Sequence, residues 1–327
     1  MNPTLEAKII QNTGASTVIK IEKVQSLWSD FGVLERVYLS GFKQDSIVIK
    51  RIKPPTELNH PRGWNSDVSA QRKLKSYEIE RHWYEEYVNQ LPPQIKTPNF
   101  LFYFESDDER VLGLEDLNVI GLSAKYSYRD QCFRHCLEWL ANFHAFHIND
   151  TGNGLWEVGT YWHLDTRKDE WEAMQSGELK NAASQIDFYL KSCNYQTLVH
   201  GDAKPANFCF SPDLKKVAAV DFQYVGKGCG IKDVIYLMSS ALIENELFRQ
   251  DEIIINEYFI FLEKALQQFS KNDIDFDALK KEWMTCYTIA WSDFDRFLKG
   301  WNSSNRRVND YMAFQTKEAL RKLKNLN

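Results

Sequence analysis

At 327 residues, 43% hydrophobic and 26% charged, the chain can bury a large core, and its length suits two lobes better than one compact unit. A net charge of -5 with no basic run argues against nucleic acid or an anionic membrane as the main partner. No apolar stretch approaches the roughly 20 residues that span a bilayer, and Met1 to Glu6 shows no signal-peptide pattern, so a cytoplasmic protein is expected.

In chain order, residues 17–24, 34–39 and 46–52 read as strands. Ile19 and Ile21 alternate with Lys20 and Glu22, the pattern of a half-buried sheet. In the third strand Val48, Lys50 and Ile52 share a face, so Lys50 sits among aliphatic side chains while Arg51 points away. The turn Ser29-Asp30-Phe31-Gly32 holds one glycine and falls far short of a glycine-rich phosphate loop. Residues 54–67, with Pro54, Pro55, Pro61 and Gly63, read as an exposed connector. A helix over about 69–91 follows, with Tyr77, Tyr84, Val88 and Leu91 as its apolar stripe. Glu80 lies three after Tyr77 and four before Tyr84, so it faces inward, whereas Glu78 shares a solvated face with Arg81 and Glu85. An inward carboxylate needs a cationic partner, and Lys50 is the candidate. Residues 100–105 and 110–114 read as a strand pair.

Past Leu114-Glu115-Asp116-Leu117 the chain is mainly helical. The helix of Phe133, Leu137, Leu140, Phe143 and Phe146 is apolar on most sides, so His144 and His147 read as satisfied core histidines. The six cysteines (Cys132, Cys136, Cys193, Cys209, Cys229, Cys286) contain no CxxC pair, and buried free thiols are expected rather than zinc. Residues 195–199 lead into His200-Gly201-Asp202-Ala203-Lys204-Pro205-Ala206-Asn207. Residues 207–210 and 217–221 then read as short strands around the turn Ser211-Pro212-Asp213. Such a hairpin sets Asn207 beside Asp221. This spacing suits phosphoryl transfer: one carboxylate accepts the proton of an attacking hydroxyl, and an amide and a second carboxylate hold magnesium against nucleotide phosphates. His200 reads as a holder of this loop. Near the C-terminus Trp291, Phe294, Leu298 and Trp301 recur at helical spacing, which favours core over a cage for a cationic head, and Asp293 and Arg296 suit a surface pair.

The HGD-x-KP-x-N segment, Val220-Asp221-Phe222-Gln223, the Val48-x-Lys50 strand and Glu80 together resemble the aminoglycoside phosphotransferase and choline/ethanolamine kinase superfamily. The flavour is that of its choline-kinase-like and ecdysteroid-kinase-like small-molecule kinases. The pattern spans roughly residues 15–245. The resemblance implies an α+β, bilobal, protein-kinase-like fold. A small N-terminal lobe (1–114) would hold an antiparallel sheet plus one helix. A hinge (115–118) and a larger, mainly helical lobe with catalytic hairpins (119–327) would follow. It implies ATP and Mg2+ as cofactors, Asp202 as catalytic base, and Asn207 and Asp221 as magnesium ligands. The backbone of Glu115 and Leu117 would hold adenine, with Lys50, Glu80 and Gly32 on the nucleotide side, and Lys204 would touch the transferred phosphate.

Gly201 replaces an arginine common in protein kinases, and Lys232-Asp233-Val234 arrives only ten residues after Phe222, leaving little room for a peptide-docking segment. The expected acceptor is therefore a small neutral or cationic alcohol, with Trp162, Trp291 and Asp293 as candidate contacts. The competing readings are a catalytically silent nucleotide-binding regulator and a protein Ser/Thr kinase.

Overall fold

The computed structural model describes residues 3–53, 67–106, 109–127 and 130–325; the connector expected at 54–67 falls, apart from Asp67, outside them. In chain order the elements are α1 (Pro3–Thr13), β1 (Thr17–Ser26), β2 (Gly32–Ser40), β3 (Ser46–Ile52), α2 (Asp67–His82), β4 (Phe100–Glu105), β5 (Arg110–Glu115) and β6 (Ala124–Lys125). They continue with α3 (Asp130–Phe146), α4 (Lys168–Ala173), α5 (Glu178–Asn181), α6 (Ala183–Lys191), β7 (Thr197–Val199), β8 (Phe208–Phe210), β9 (Val217–Ala219) and β10 (Gly226–Gly228). Four helices close the chain: α7 (Ile231–Ala241), α8 (Glu244–Gln268), α9 (Phe276–Trp301) and α10 (Asp310–Asn325). These elements form two compact units, residues 1–125 with 209–220 and residues 126–208 with 221–327.

The first unit is built on an antiparallel five-stranded sheet in the order β1-β2-β3-β5-β4. β3 is therefore interior, and Lys50 stands in register between Leu34 and Leu112. Gly113 in β5 has a packing reason, because a Cβ there would lie 2.5 Å from the Phe102 ring. Two expectations change. The strand β1 carries a register irregularity between Val18 and Lys20, so Val18 and Ile21 pack on the core while Ile19 is 62% exposed. A bulge adds a residue and flips the alternation that a regular strand would keep. Among the described residues the unit also holds a second α-helix beside α2: α1 buries Leu5 and Ile9, one turn apart, against Val37, Ile47, Ile49 and Val111. After α2 the chain widens into a π-turn over Trp83–Tyr87, which brings both Trp83 and Tyr84 to full burial. Strands β6, β8 and β9 form a second sheet, and Leu117, Leu122 and Ala218 pack together beside it.

The second unit is helical around α9, which packs against α4, α6, α7 and α10, while α3 packs against α8. The side chain of Asp275 accepts the Ala278 N–H at 3.0 Å and so caps the start of α9. Every residue of α7 is buried. A two-stranded ribbon pairs β7 with β10, setting Val199 against Gly226 just before the HGD segment begins.

Candidate active site

In the first unit, the Lys50 ammonium donates to Glu80 Oε2 at 2.7 Å. Both side chains are buried, Lys50 at 5% exposure and Glu80 at 2%, and the Tyr77 ring lies 5.4 Å from the ammonium. Glu78 instead meets Arg110 at 3.4 Å on the surface. The helical stripe through Tyr77 and Tyr84 thus identified the correct acid. Removing one partner of such a buried pair costs about 3–5 kcal/mol, far more than losing a surface pair.

Segment 115–118 is fixed by carboxylates. Asp116, nearly inaccessible, accepts from Arg36 Nε at 2.6 Å, from the Ser46 hydroxyl at 2.6 Å and from the Asn118 N–H at 3.1 Å. Glu115 accepts from Lys96 at 2.9 Å and from the Asn99 N–H at 3.2 Å, and its own N–H donates to the Asn99 carbonyl at 2.9 Å. The Leu117 carbonyl accepts the Leu122 N–H at 2.9 Å. Gly32 is the first residue of β2 rather than part of a loop. A Cβ there would fall 2.0 Å from the Arg51 carbonyl oxygen, so sheet packing accounts for the glycine without any ligand.

In the second unit the HGD segment leaves β7 and is clamped by one buried side chain. Asp233, in the first turn of α7, accepts the His200 N–H at 2.6 Å and the Gly201 N–H at 2.9 Å. Its Oδ2 also faces His144 Nε2 at 3.2 Å; a carboxylate only accepts, so Nε2 carries the proton and Nδ1 receives the Tyr258 hydroxyl at 2.7 Å. His144 is therefore a satisfied core histidine. His147 likewise is buried and bonded to Asp150 at 2.9 Å. Gly201 has φ +79°, and a Cβ would sit 2.2 Å from the Tyr224 carbonyl oxygen, so only glycine fits the turn. His200 accepts the Asp202 N–H through Nδ1 at 3.2 Å, which makes it a loop holder.

The result is a carboxylate held on both oxygens. Asp202 Oδ1 accepts the Tyr236 hydroxyl at 2.9 Å; Oδ2 accepts Lys204 Nζ at 2.6 Å and Asn207 Nδ2 at 3.1 Å. Asn207 Nδ2 also donates to the Asp202 carbonyl at 2.9 Å, which turns its amide oxygen to the opposite side. Asp221 follows β9 at φ +72°, and its Oδ1 accepts Gln223 Nε2 at 2.6 Å. Burial alone would depress the Lys204 ammonium, but the charges of Asp202 and Asp221 and the bond to Asp202 hold it above the ordinary lysine value. Burial, and then the Asp202 charge, push the Tyr236 phenol well above the ordinary tyrosine value, so it stays a donor.

The expected acceptor contacts are corrected. Trp162 is completely buried and donates Nε1–H to Asp293 at 3.1 Å. Trp291 is also completely buried, its ring edge-on to Tyr311. Asp293 pairs with Arg296 at 2.8 Å, yet this pair lies in the core and not on the surface, because α9 is surrounded by other helices. All three side chains are thus packed in the interior of the second unit. The groups near Asp202 are others. Tyr161 sets its ring edge-on to Tyr236 (5.4 Å) and Phe297 (5.4 Å), and the Arg307 guanidinium lies over Tyr236 (5.4 Å) and Phe294 (5.9 Å). Sequence reasoning missed Tyr236, Arg307 and the clamping role of Asp233. For Tyr236 a signal existed, since it lies three residues after Asp233 on one helix. For Arg307, in the α9–α10 connection, there was none.

Asp202, bonded to Tyr236, Lys204 and Asn207, and Asp221, bonded to Gln223, thus stand on the segment that carries the family resemblance. A profile described as the Phosphotransferase enzyme family matches residues 68–269, and the chain belongs to that family; it is a small-molecule kinase. Among solved structures the chain is similar to a Ralstonia eutropha JMP134 protein assigned to the aminoglycoside phosphotransferases, at 12% identity and TM-score 0.54 over 99% of this chain and 96% of that one. It is also similar to choline kinase from Cryptosporidium parvum Iowa II, at 13% identity and TM-score 0.51 over 94% and 90% of the two chains. At such identities the likeness establishes the fold, with its antiparallel-sheet lobe and mainly helical lobe. No curated protein matches the chain. Among the described residues, no helix is long and apolar enough to cross a membrane.

Proposed function

We propose that this chain transfers the γ-phosphate of ATP to a hydroxyl of a small molecule, with Asp202 as general base. The observation that carries the reading is the Asp202 carboxylate, oriented by Tyr236, Lys204 and Asn207 on a loop that Asp233 clamps. Asp202 takes the hydroxyl proton as that oxygen attacks phosphorus, an assistance worth typically 10²–10⁴ in rate. Lys204, strongly cationic beside Asp202, is placed to follow the charge of the transferred group. Lys50, oriented by Glu80, pairs with nucleotide phosphates. The backbone of 115–118 takes adenine; since the Glu115 N–H is already bonded to Asn99, the contact at Glu115 falls to its carbonyl.

The donor set fits magnesium. Asn207 and Asp221 offer hard oxygens, and the Asn207 amide is turned by its two bonds to Asp202 so that its oxygen faces away from the base. When bound there, magnesium would neutralise phosphate charge.

The sequence pattern favours a neutral or cationic alcohol, of choline, aminoglycoside or steroid type. The Arg307 guanidinium beside Tyr236 adds a second cation to the Lys204 side of the site and favours the neutral members of that range. A protein substrate is disfavoured because α7 begins at Ile231, ten residues after Asp221. Unpaired cysteines throughout accord with a reducing, cytoplasmic setting. The test is a screen of amino alcohols, sterols, sugars and aminoglycosides with Mg-ATP, following ADP release and phosphorylated product. Product that forms equally in Asp202→Asn protein, or phosphate transfer to peptide serine alone, would overturn the proposal.

A further inference from the structure

Three cysteines far apart in sequence converge in the interior of the second unit. Cys193 follows α6, Cys229 lies between β10 and α7, and Cys286 is on α9. All three are buried, Cys229 and Cys286 completely. The sulfurs of Cys193 and Cys286 are 3.1 Å apart, and all three Sγ atoms lie within 4.8 Å of one another. Scattered thiols with no spacing motif were not expected to meet, and no sequence signal distinguishes them from Cys132 and Cys136.

The convergence is held by other bonds. Glu282, one turn before Cys286 on α9, accepts the N–H groups of Asn194 and Tyr195 at 2.9 Å each, fastening the chain just beyond Cys193 to this helix. Trp283 Nε1 donates to the Tyr195 carbonyl at 3.0 Å. On the other side, Gly230 lies so close to the Trp283 and His144 rings that a Cβ would fall 2.6 and 2.8 Å from them, which pins the residue after Cys229. The Lys232 N–H bonds the Cys229 carbonyl at 3.0 Å, and its buried ammonium brings positive charge to the same interior.

We propose that Cys193, Cys229 and Cys286 form a three-thiolate site for a soft d10 cation, Cu(I) or Zn(II). Thiolate sulfur selects these ions over hard ones. With a metal–sulfur distance near 2.3 Å, three ligating sulfurs stand about 4 Å apart, so the trio needs to open by less than about 1 Å at its shortest edge. Each ligating thiol loses its proton to solvent, so three protons leave for the one cation that binds, and the thiolate charge in excess of the cation's stays in the site. Among the described residues no histidine or carboxylate joins the group as a fourth ligand, a set that three-coordinate Cu(I) accepts as it stands and that Zn(II) completes with water. The bound ion would staple α6 and α9 to the residue four before Asp233, whose carboxylate clamps the HGD loop. Its role is thus a positioning one, independent of the acceptor's identity.

The test uses the full chain, reduced, stripped of metal and handled without oxygen. Zn(II) and, separately, Cu(I) are titrated in competition with a chromophoric chelator. Retention of about one equivalent per chain is expected in one arm or both, with the tighter arm naming the ion. Cys229→Ser and Cys286→Ala should weaken it about a hundredfold or more, while Cys132→Ser and Cys136→Ser leave it unchanged. A readout that needs no variant is iodoacetamide labelling of wild-type protein in mild urea, where bound metal should protect Cys193, Cys229 and Cys286 selectively. Refusal of both cations, retention that survives Cys229→Ser in folded protein, or isolation of the chain with a Cys193–Cys286 disulfide that excludes metal would overturn the assignment.

Discussion

Glu80→Ala should be among the most damaging single changes in the first unit, out of proportion to the one contact it removes. The carboxylate is 2.7 Å from an ammonium that is itself 5% exposed, on the interior strand of a five-stranded sheet. Without Glu80, Lys50 must stay charged in the interior, lose its proton, or drag water in. The loss expected is about 3–5 kcal/mol, roughly a 10²–10³·⁵-fold shift of the folding equilibrium. Glu78→Ala, which breaks only the exposed contact to Arg110, should cost under about 1 kcal/mol. The double change Lys50→Met/Glu80→Leu should recover much of the stability, because two apolar side chains of similar volume carry no stranded charge, yet it should abolish nucleotide-dependent activity. Urea unfolding of the four proteins measures the stability terms, and Mg-ATP titration of the folded variants measures the rest. A Glu80→Ala loss no larger than that of Glu78→Ala, or a double variant less stable than Glu80→Ala, would show that the Lys50–Glu80 pair leaves no stranded charge when broken.

Three further outcomes follow from the same geometry. Asp202→Asn should reduce transfer about 10²–10⁴-fold while leaving Mg-ATP affinity within a few-fold, as calorimetry can check, since the carboxylate acts on the acceptor hydroxyl. Asp221→Ala should instead weaken nucleotide binding only when magnesium is present; unchanged affinity for Mg-ATP would remove Asp221 from the metal site. Trp162→Ala and Trp291→Ala should each cost about 3–5 kcal/mol of stability, visible as lowered urea midpoints, whereas Tyr161→Ala should raise the acceptor KM in a protein that still folds. A stable Trp162→Ala enzyme with only a raised acceptor KM would return that residue to the pocket.

Much of the candidate site was legible because it is local in the chain. His200 to Asn207 and Asp221 lie within one short stretch, so their spacing alone constrains how they meet, and Gly201 announces a turn that no other residue can make. The Lys50–Glu80 pair was also readable, since strand and helix periodicities each fix a facing direction, and a buried acid demands a buried cation. The limits begin where a single inserted residue changes facing, as in β1, where a bulge left Ile19 in solvent against the expected alternation. The aromatic stripe of α9 read as core rather than cage, and Trp291, Phe294 and Leu298 are buried accordingly; Asp293 and Arg296, which suited a surface pair, are buried too because α9 is enclosed by other helices. Arg307, Tyr161 and Tyr236 reach the neighbourhood of Asp202 from three separate segments, and the three cysteine sulfurs converge the same way. Such meetings depend on how the helices of the second unit pack, a property of the whole fold that no window of sequence contains.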